Sequence, residues 1–156
     1  MDNQSMHNYA ELLEGMKFGE LEEALSVLLL NEKEDVLNLL AYNSVTDEGN
    51  LLVYTFLSSI LIQEEVASTH LLISKIMGLT LNFMPKAELI GLYHGVKASQ
   101  LDPCNIDIKE YLIYYNHIPE KLLSDSEAVK LALEIIKLRP ESKVAQMTLS
   151  KINFSG

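Results

Sequence analysis

The chain has 156 residues, 48% of them apolar, and a formal net charge of −10. These values predict one compact domain over residues 1–156 with a continuous hydrophobic core, and they exclude disordered and fibrous proteins. The negative charge repels phosphate groups and anionic lipids, so we expect neither nucleic acid nor a membrane surface as a partner.

Apolar residues recur at helical spacing along most of the chain, and no segment alternates long enough to predict a strand. The pattern predicts an all-α protein of eight to nine helices. They cover Tyr9–Glu14, Glu20–Leu30, Glu32–Tyr42, Glu48–Ile62, Glu64–Met77, Pro85–Gln100, Ile106–Asn116, Asp125–Leu138 and, as the ninth, Ser142–Ile152.

Two helix starts have the spacing of a capping box, in which a short polar side chain and a glutamate three residues later satisfy two free amides. These pairs are Asn31 with Glu34 and Ser124 with Glu127. The four prolines all fall between periodic segments, where they separate helices rather than interrupt them.

Two of these prolines lie in similar stretches that begin 37 residues apart, Leu101–Asn105 and Leu138–Ser142. Each stretch follows one helical pattern and precedes another. The C-terminal half, and the segment from Ala128 to Ala145 best of all, resembles tetratricopeptide repeats, although their usual period is about 34 residues. The resemblance implies tetratricopeptide-like helical hairpins that form an irregular bundle or a short α-solenoid.

The sequence predicts neither a metal site nor a cofactor site. The four histidines lack the spacing of metal ligands, and no phosphate-binding or nucleotide-binding glycine motif occurs. We therefore expect no catalytic residues and no enzymatic activity. Because Cys104 is the only cysteine and the N-terminus carries no secretion pattern, we expect a cytoplasmic protein without a disulfide.

Gly91 and Gly95 lie four residues apart on one predicted helix, so they form a ridge that another helix can approach closely. The simplest neighbour is the predicted helix Glu64–Met77, which places His70 and His94 at the same seam as structural residues. Three tyrosines on the following predicted helix, Tyr111, Tyr114 and Tyr115, indicate either a half-buried seam or an interface.

The charge is distributed unevenly. Residues 1–65 contain thirteen acidic and two basic residues, whereas residues 66–156 contain nine acidic and ten basic residues. The acids either form solvated helix ends and faces or form a surface for a cationic partner. On the second interpretation, the partner-binding residues are Glu20, Glu22, Glu23, Glu32, Glu34 and Asp35.

The order of short motifs between residues 64 and 145 resembles bacterial immunity proteins that accompany polymorphic toxins of the wall-associated-protein and contact-dependent growth inhibition types. The motifs are Glu64-Glu65, His70-Leu71-Leu72, Leu92-Tyr93-His94, Lys97-Ala98, Leu101-Asp102-Pro103, Asn105, Lys109-Glu110, Pro119-Glu120, Glu127-Ala128 and Leu138-Arg139-Pro140. The resemblance implies a protein that binds and blocks the toxic C-terminal domain, often a nuclease, in the cytoplasm of the producing cell. It assigns no contact residues.

Two functions therefore compete. An immunity protein would use its acids to steer and bind a basic toxin domain. A helical adaptor would hold a peptide or protein partner in a groove, and its charge would serve solubility alone. An enzyme or a ligand-binding regulator is a more distant third alternative.

Overall fold

The structure, a computed structural model, describes the backbone of residues 3–153 and the side chains of residues 3–151. Nine α-helices and one short hairpin form this part of the chain, which confirms the predicted all-α fold. The elements are α1 (Asn3–Glu14), α2 (Phe18–Ser26), α3 (Leu30–Ala41), β1 (Tyr42–Asn43), β2 (Glu48–Gly49), α4 (Leu52–Gln63), α5 (Ala67–Lys75) with a π-helical turn (Ile76–Thr80), α6 (Ala87–Leu101), α7 (Ile106–His117), α8 (Asp125–Leu138) and α9 (Lys143–Asn153).

The C-terminal helices follow the sequence prediction closely. The bounds of α8 are the predicted ones, and α6, α7 and α9 differ from theirs by two residues or fewer. The capping box at the start of α8 is confirmed, because the Ser124 side chain accepts a hydrogen bond from the Glu127 N–H (3.3 Å) and the Glu127 carboxylate accepts one from the Ser124 N–H (3.1 Å). The predicted single domain includes chain ends outside the described residues and stays a prediction.

The connection between α2 and α3 differs from the prediction. The helix predicted to reach Leu30 ends at Ser26, and α3 begins at Leu30. The Glu32 carboxylate accepts a hydrogen bond from the Leu29 N–H (2.9 Å), which satisfies an amide just before the helix. The capping box predicted for Asn31 and Glu34 is therefore wrong, because both residues lie inside α3.

The predicted start of the fourth helix at Glu48 is also wrong. Glu48 and Gly49 instead form β2, which pairs antiparallel with β1. Asp47 allows the tight turn, since its φ of +58° lies in the left-handed region and its carboxylate accepts a hydrogen bond from the Tyr42 hydroxyl (2.6 Å). α4 begins only at Leu52, whose N–H donates to the Asn50 side chain.

Two further N-terminal boundaries shift. α1 begins at Asn3 rather than at Tyr9, and α5 begins at Ala67 rather than at Glu64. α5 then widens into the π-helical turn, which the periodic pattern did not predict. Turns of this kind insert one residue into a helix, so they change the direction of the side chains that follow.

Both proline stretches connect helices as predicted. Leu101–Asn105 joins α6 to α7, and Leu138–Ser142 joins α8 to α9. Asn105 caps α7 by accepting from the N–H groups of Asp107 and Ile108, and the Ser142 hydroxyl accepts from the Ala145 N–H. Each stretch therefore ends one helix and starts the next by local hydrogen bonds.

The hydrophobic core has three parts. The largest lies among α1 to α5 and reaches Ala87 at the start of α6. Two smaller clusters lie between α7 and α8 and among α7, α8 and α9. The helices α5 and α6 pack closely against each other and join the N-terminal and C-terminal parts.

The glycine ridge of α6 lies in this α5–α6 seam, as predicted. A methyl group built on Gly91 would collide with the Tyr115 hydroxyl and lie 3.0 Å from the Ser74 carbonyl oxygen, and one built on Gly95 would lie 2.8 Å from the Ser74 hydroxyl. The ridge therefore meets α5 and α7 at once. Only glycine leaves room for this approach.

Candidate partner-binding surface

The six predicted partner-binding residues lie on two consecutive helices, but they do not form one free cluster. Glu20 and Glu23 are exposed on α2. Glu22 is half-buried and lines a small cavity that also contacts α3, α4 and α5. Glu32, Glu34 and Asp35 lie on α3, where each has a different environment.

Two of the three acids on α3 already have partners inside the protein. Glu32 caps the start of α3 through the Leu29 N–H. Both oxygens of Glu34 accept hydrogen bonds from Lys75 Nζ at 3.0 and 2.7 Å, in a pair whose side chains are only 26% and 28% exposed. Asp35 is exposed, and its side chain makes no hydrogen bond or ion pair with the described residues.

Glu32 and Asp35 border a groove between α1 and α3. Two open cavities of about 740 and 630 Å³ lie along it and share Met6 and Leu39 in their linings. The first cavity lies beside Asn3 and Leu28, and the second reaches the β1–β2 hairpin. From the first cavity to the second, the lining residues run from Asn3 to Glu14 along α1 and from Glu32 to Leu40 along α3. The two chain segments therefore run in the same direction along the groove.

The groove has an apolar floor and an acidic rim. Met6, Ala10, Leu13, Leu28, Leu39 and Leu40 supply apolar side chains, and the charged lining residues are Glu14, Glu32, Asp35 and Glu48. No lysine, arginine or histidine is among the described lining residues. The Glu14 carboxylate also accepts a hydrogen bond from Asn50 Nδ2 (2.7 Å), which fixes its position at the rim.

Leu39 is the most informative residue of the groove floor. It is 61% exposed, although its neighbour Leu40 belongs to the core. The buried face of α3 contains Val36, Leu37, Leu40 and Ala41, and Leu39 lies beside this face. Our sequence analysis missed the groove, and the signal that could have indicated it is this leucine outside the helical stripe.

Four of the nine acids in residues 66–156 form ion pairs. Arg139 contacts both Asp107 and Glu110 at 2.8 Å, Lys109 contacts Glu134 at 2.7 Å, and Lys121 contacts Asp125 at 2.7 Å. Among the acids of residues 1–65, Glu34 pairs with Lys75 of α5, while Glu20, Glu23, Asp35 and Glu48 have no ion-pair partner in the described structure. Acids such as Glu120 and Glu141 also form no ion pair there, but residues 66–156 contain ten bases and residues 1–65 only two. The excess negative charge therefore lies in the N-terminal half, where α2, α3 and the hairpin carry exposed acids.

His70 and His94 form a buried pair rather than a free reactive site. Their Nδ1 atoms lie 2.8 Å apart, and His70 Nε2 lies 3.3 Å from a Glu65 carboxylate oxygen. Since a carboxylate accepts hydrogen bonds, the pattern assigns the proton of His70 to Nε2, and His94 then donates its Nδ1–H to His70. Burial, and next the neighbouring His70, lower the pKa of His94 to about 4.

Three tyrosine hydroxyl groups of α7 form hydrogen bonds with α5 and its π-helical turn, beside the α5–α6 seam. Tyr111 and Tyr115 both donate to the Ser74 carbonyl, at 2.9 and 3.1 Å, and Tyr114 donates to the Gly78 carbonyl at 2.8 Å. Burial raises the pKa of both Tyr111 and Tyr115, so their hydroxyls remain protonated donors. The tyrosines therefore form the half-buried seam that was one of the two sequence interpretations.

Within residues 3–151, no group of three or more histidine, cysteine, aspartate or glutamate side chains is arranged to hold a metal ion. No helix in the described part of the chain has the length and apolar character needed to cross a membrane. Comparison of the chain with protein-family models, curated proteins and solved structures gave no match.

Proposed function

We propose that this protein is a cytoplasmic immunity protein, which binds a basic toxin domain and blocks it by protein–protein contact without catalysis of its own. The observation that carries the proposal is the unneutralised acidic surface of the N-terminal half, beside a groove whose charged lining residues are all acidic. Such a surface accelerates association with a cationic partner and disfavours partners of like charge. The motif order described above suggests what kind of partner this is.

Three features of the described residues support a binding role. The groove is open to solvent, its apolar floor provides surface that a partner can bury, and its acidic rim provides charge for specificity. A helical adaptor would share the first two features. It would not need the concentration of unpaired acids in the N-terminal half.

The decisive experiment uses the C-terminal domain of the protein encoded directly upstream, which the proposal predicts to be a basic toxin. We expect the purified protein to inhibit that domain at equimolar concentration and to bind it in isothermal titration calorimetry. Replacing Glu20 and Asp35 by lysine should weaken binding by about tenfold or more, because both side chains are exposed and have no internal partner.

The matched control replaces Glu120 and Glu141 by lysine. Both are exposed residues of the C-terminal half without an ion pair in the described structure, and the change in formal charge is the same. Equal inhibition by the wild type and both variants would contradict the electrostatic mechanism. No inhibition by any of them, together with a neighbouring gene for a chaperone or secretion component, would favour the adaptor.

A further inference from the structure

The groove between α1 and α3 has the length of a short helix. α1 contains 12 residues, so it spans about 18 Å at 1.5 Å per residue. Lining residues extend from Asn3 to Glu14 along α1 and from Glu32 to Leu40 along α3, after which the hairpin closes one end. A bound helix of about three turns would match this length.

The groove is better suited to a helix than to an added strand. Strand addition needs a free sheet edge, and the neighbouring strands β1 and β2 have only two residues each. An amphipathic helix needs a strip of apolar surface with polar borders, and Met6, Ala10 and Leu39 provide this strip. Glu32 and Asp35 lie at one end of it, and Glu14 and Glu48 lie at the other. The geometry therefore favours the helix-in-groove mode of recognition.

The charge of the rim selects among possible helices. Glu14, Glu32, Asp35 and Glu48 line the groove without a neighbouring cation among the described lining residues. A second copy of this chain would bring a net charge of −10 against that rim, which opposes self-association through this face. Lysine or arginine side chains flanking an apolar face would instead complement it.

We propose that the α1–α3 groove binds a cationic amphipathic helix of the partner, with apolar residues on Met6 and Leu39 and basic residues beside Asp35 and Glu48. This inference rests on the proposed function, since it names the part of a basic partner that the acidic surface recognises. It adds that the helix itself is recognised locally by the groove, whereas acids outside the groove, among them Glu20, attract the whole toxin domain at longer range. Glu20 and Glu23 lie outside the groove, so they provide a comparison within the same half.

The first test uses a synthetic peptide with the full-length protein. The probe, called the patterned peptide, is an acetylated leucine–lysine peptide of about 14 residues with leucines at i, i+3, i+4 and i+7, which form one apolar helix face. The control is a permuted peptide of the same composition that lacks this apolar face. We expect the patterned peptide to bind, to gain helical circular dichroism and to shift the amide signals of α1 and α3. Equal affinity for both peptides, or signal changes elsewhere, would overturn the proposal.

Variants then locate the peptide. Replacing Asp35 and Glu48 by lysine, or Leu39 by serine, should weaken binding by about tenfold or more, while replacing Glu20 and Glu23 by lysine should change it by about threefold or less. All five side chains are exposed, so the thermal midpoints should stay close to that of the wild type. Equal losses in both charge-reversed pairs would show diffuse electrostatics and contradict a local site.

The toxin domain separates this inference from the proposed function. If the wild type and the Asp35→Lys/Glu48→Lys variant inhibit the toxin equally, the groove proposal fails and the immunity function stands. If the wild type does not inhibit the toxin but binds the patterned peptide in the groove, the immunity function fails and the groove proposal stands. A dimer in analytical ultracentrifugation that Leu39→Ser dissociates would identify a second copy as the occupant and overturn the proposal.

Discussion

His70 and His94 face each other across the α5–α6 seam with their Nδ1 atoms 2.8 Å apart. The two residues are only 4% and 6% exposed. Only one proton can lie between these nitrogens, so the contact cannot hold two cationic rings at once. A proton added to the neutral pair would place one positive charge in a buried space.

Acid should therefore destabilise the protein through His94. Its pKa is about 4 in the folded protein, against the ordinary value of 6.5, so below pH 6.5 the unfolded chain binds more protons than the folded one. The contribution of this site to stability should decline as the pH falls from about 6.5 to 4, by about 3 kcal/mol in all. Urea denaturation at pH 7, 6, 5 and 4 measures the decline.

The control for this prediction is His94→Gln, which has no group that titrates in this range. We expect its free energy of unfolding to depend less on pH than that of the wild type. An identical pH dependence in the two proteins would show that other groups cause the acid sensitivity.

Substitutions in the glycine ridge should distinguish close packing from ordinary helix propensity. In Gly91→Ala the new methyl group would collide with the Tyr115 hydroxyl, so we expect a loss of about 1–3 kcal/mol. Gly95→Ala should cost a similar amount, because its methyl group would lie 2.9 Å from Leu112. Thermal and urea denaturation measure these losses.

Gly19 in α2 provides the matched control, since a methyl group built there has no neighbour within 4 Å. Gly19→Ala should be neutral or stabilise the protein by up to about 1 kcal/mol, because alanine favours the helix more than glycine does. Unchanged stability in Gly91→Ala and Gly95→Ala would contradict the close approach of the three helices.

Neighbouring acids on α3 should respond differently to charge reversal. Glu34→Lys places a second cation beside Lys75 and removes a partly buried ion pair, so we expect a loss of about 1–2 kcal/mol. Asp35→Lys, on an exposed side chain without an internal partner, should change stability by about 0.5 kcal/mol or less. The difference in thermal midpoint between the two variants measures this contrast, and similar midpoints would contradict it.

Association with the toxin domain should depend on salt. If the acidic surface steers the partner, the association rate should fall as the salt concentration rises past about 0.15 M, where the Debye length is about 8 Å. The dissociation rate should change less, since short contacts inside the interface are screened less. Stopped-flow mixing over a salt series measures both rates, and a salt-independent association rate would refute steering.

Local patterns in the sequence predicted those parts of the fold that local interactions determine. The helical spacing of the apolar residues in α8 and the N-terminal cap at Ser124 both depend on residues close together in the chain. Both were predicted correctly. The spacing of Gly91 and Gly95 predicted a close helix contact, because backbone approach requires small residues wherever the partner lies. His70 and His94 also lie in the seam where this spacing placed them.

Features that depend on distant residues could not be predicted in this way. Glu34 and Asp35 are adjacent acidic residues of α3, so the sequence around them does not distinguish them. Only Glu34 contacts Lys75, which lies 41 residues further along the chain. The hairpin depends on the left-handed backbone of Asp47 rather than on alternation, because its strands have only two residues each. The groove exists only once α1 and α3 lie side by side, so no single segment contains its pattern.

The tyrosine contacts of α7 have a consequence for the energetics of binding. Tyr111, Tyr114 and Tyr115 donate to backbone carbonyls of α5 and its π-helical turn. Directed hydrogen bonds restrict rotation as well as separation, whereas apolar contacts alone allow neighbouring helices to slide. A partner that touches both the groove and the C-terminal helices therefore meets surfaces whose relative orientation is already fixed, and loses little conformational entropy from this protein when it binds.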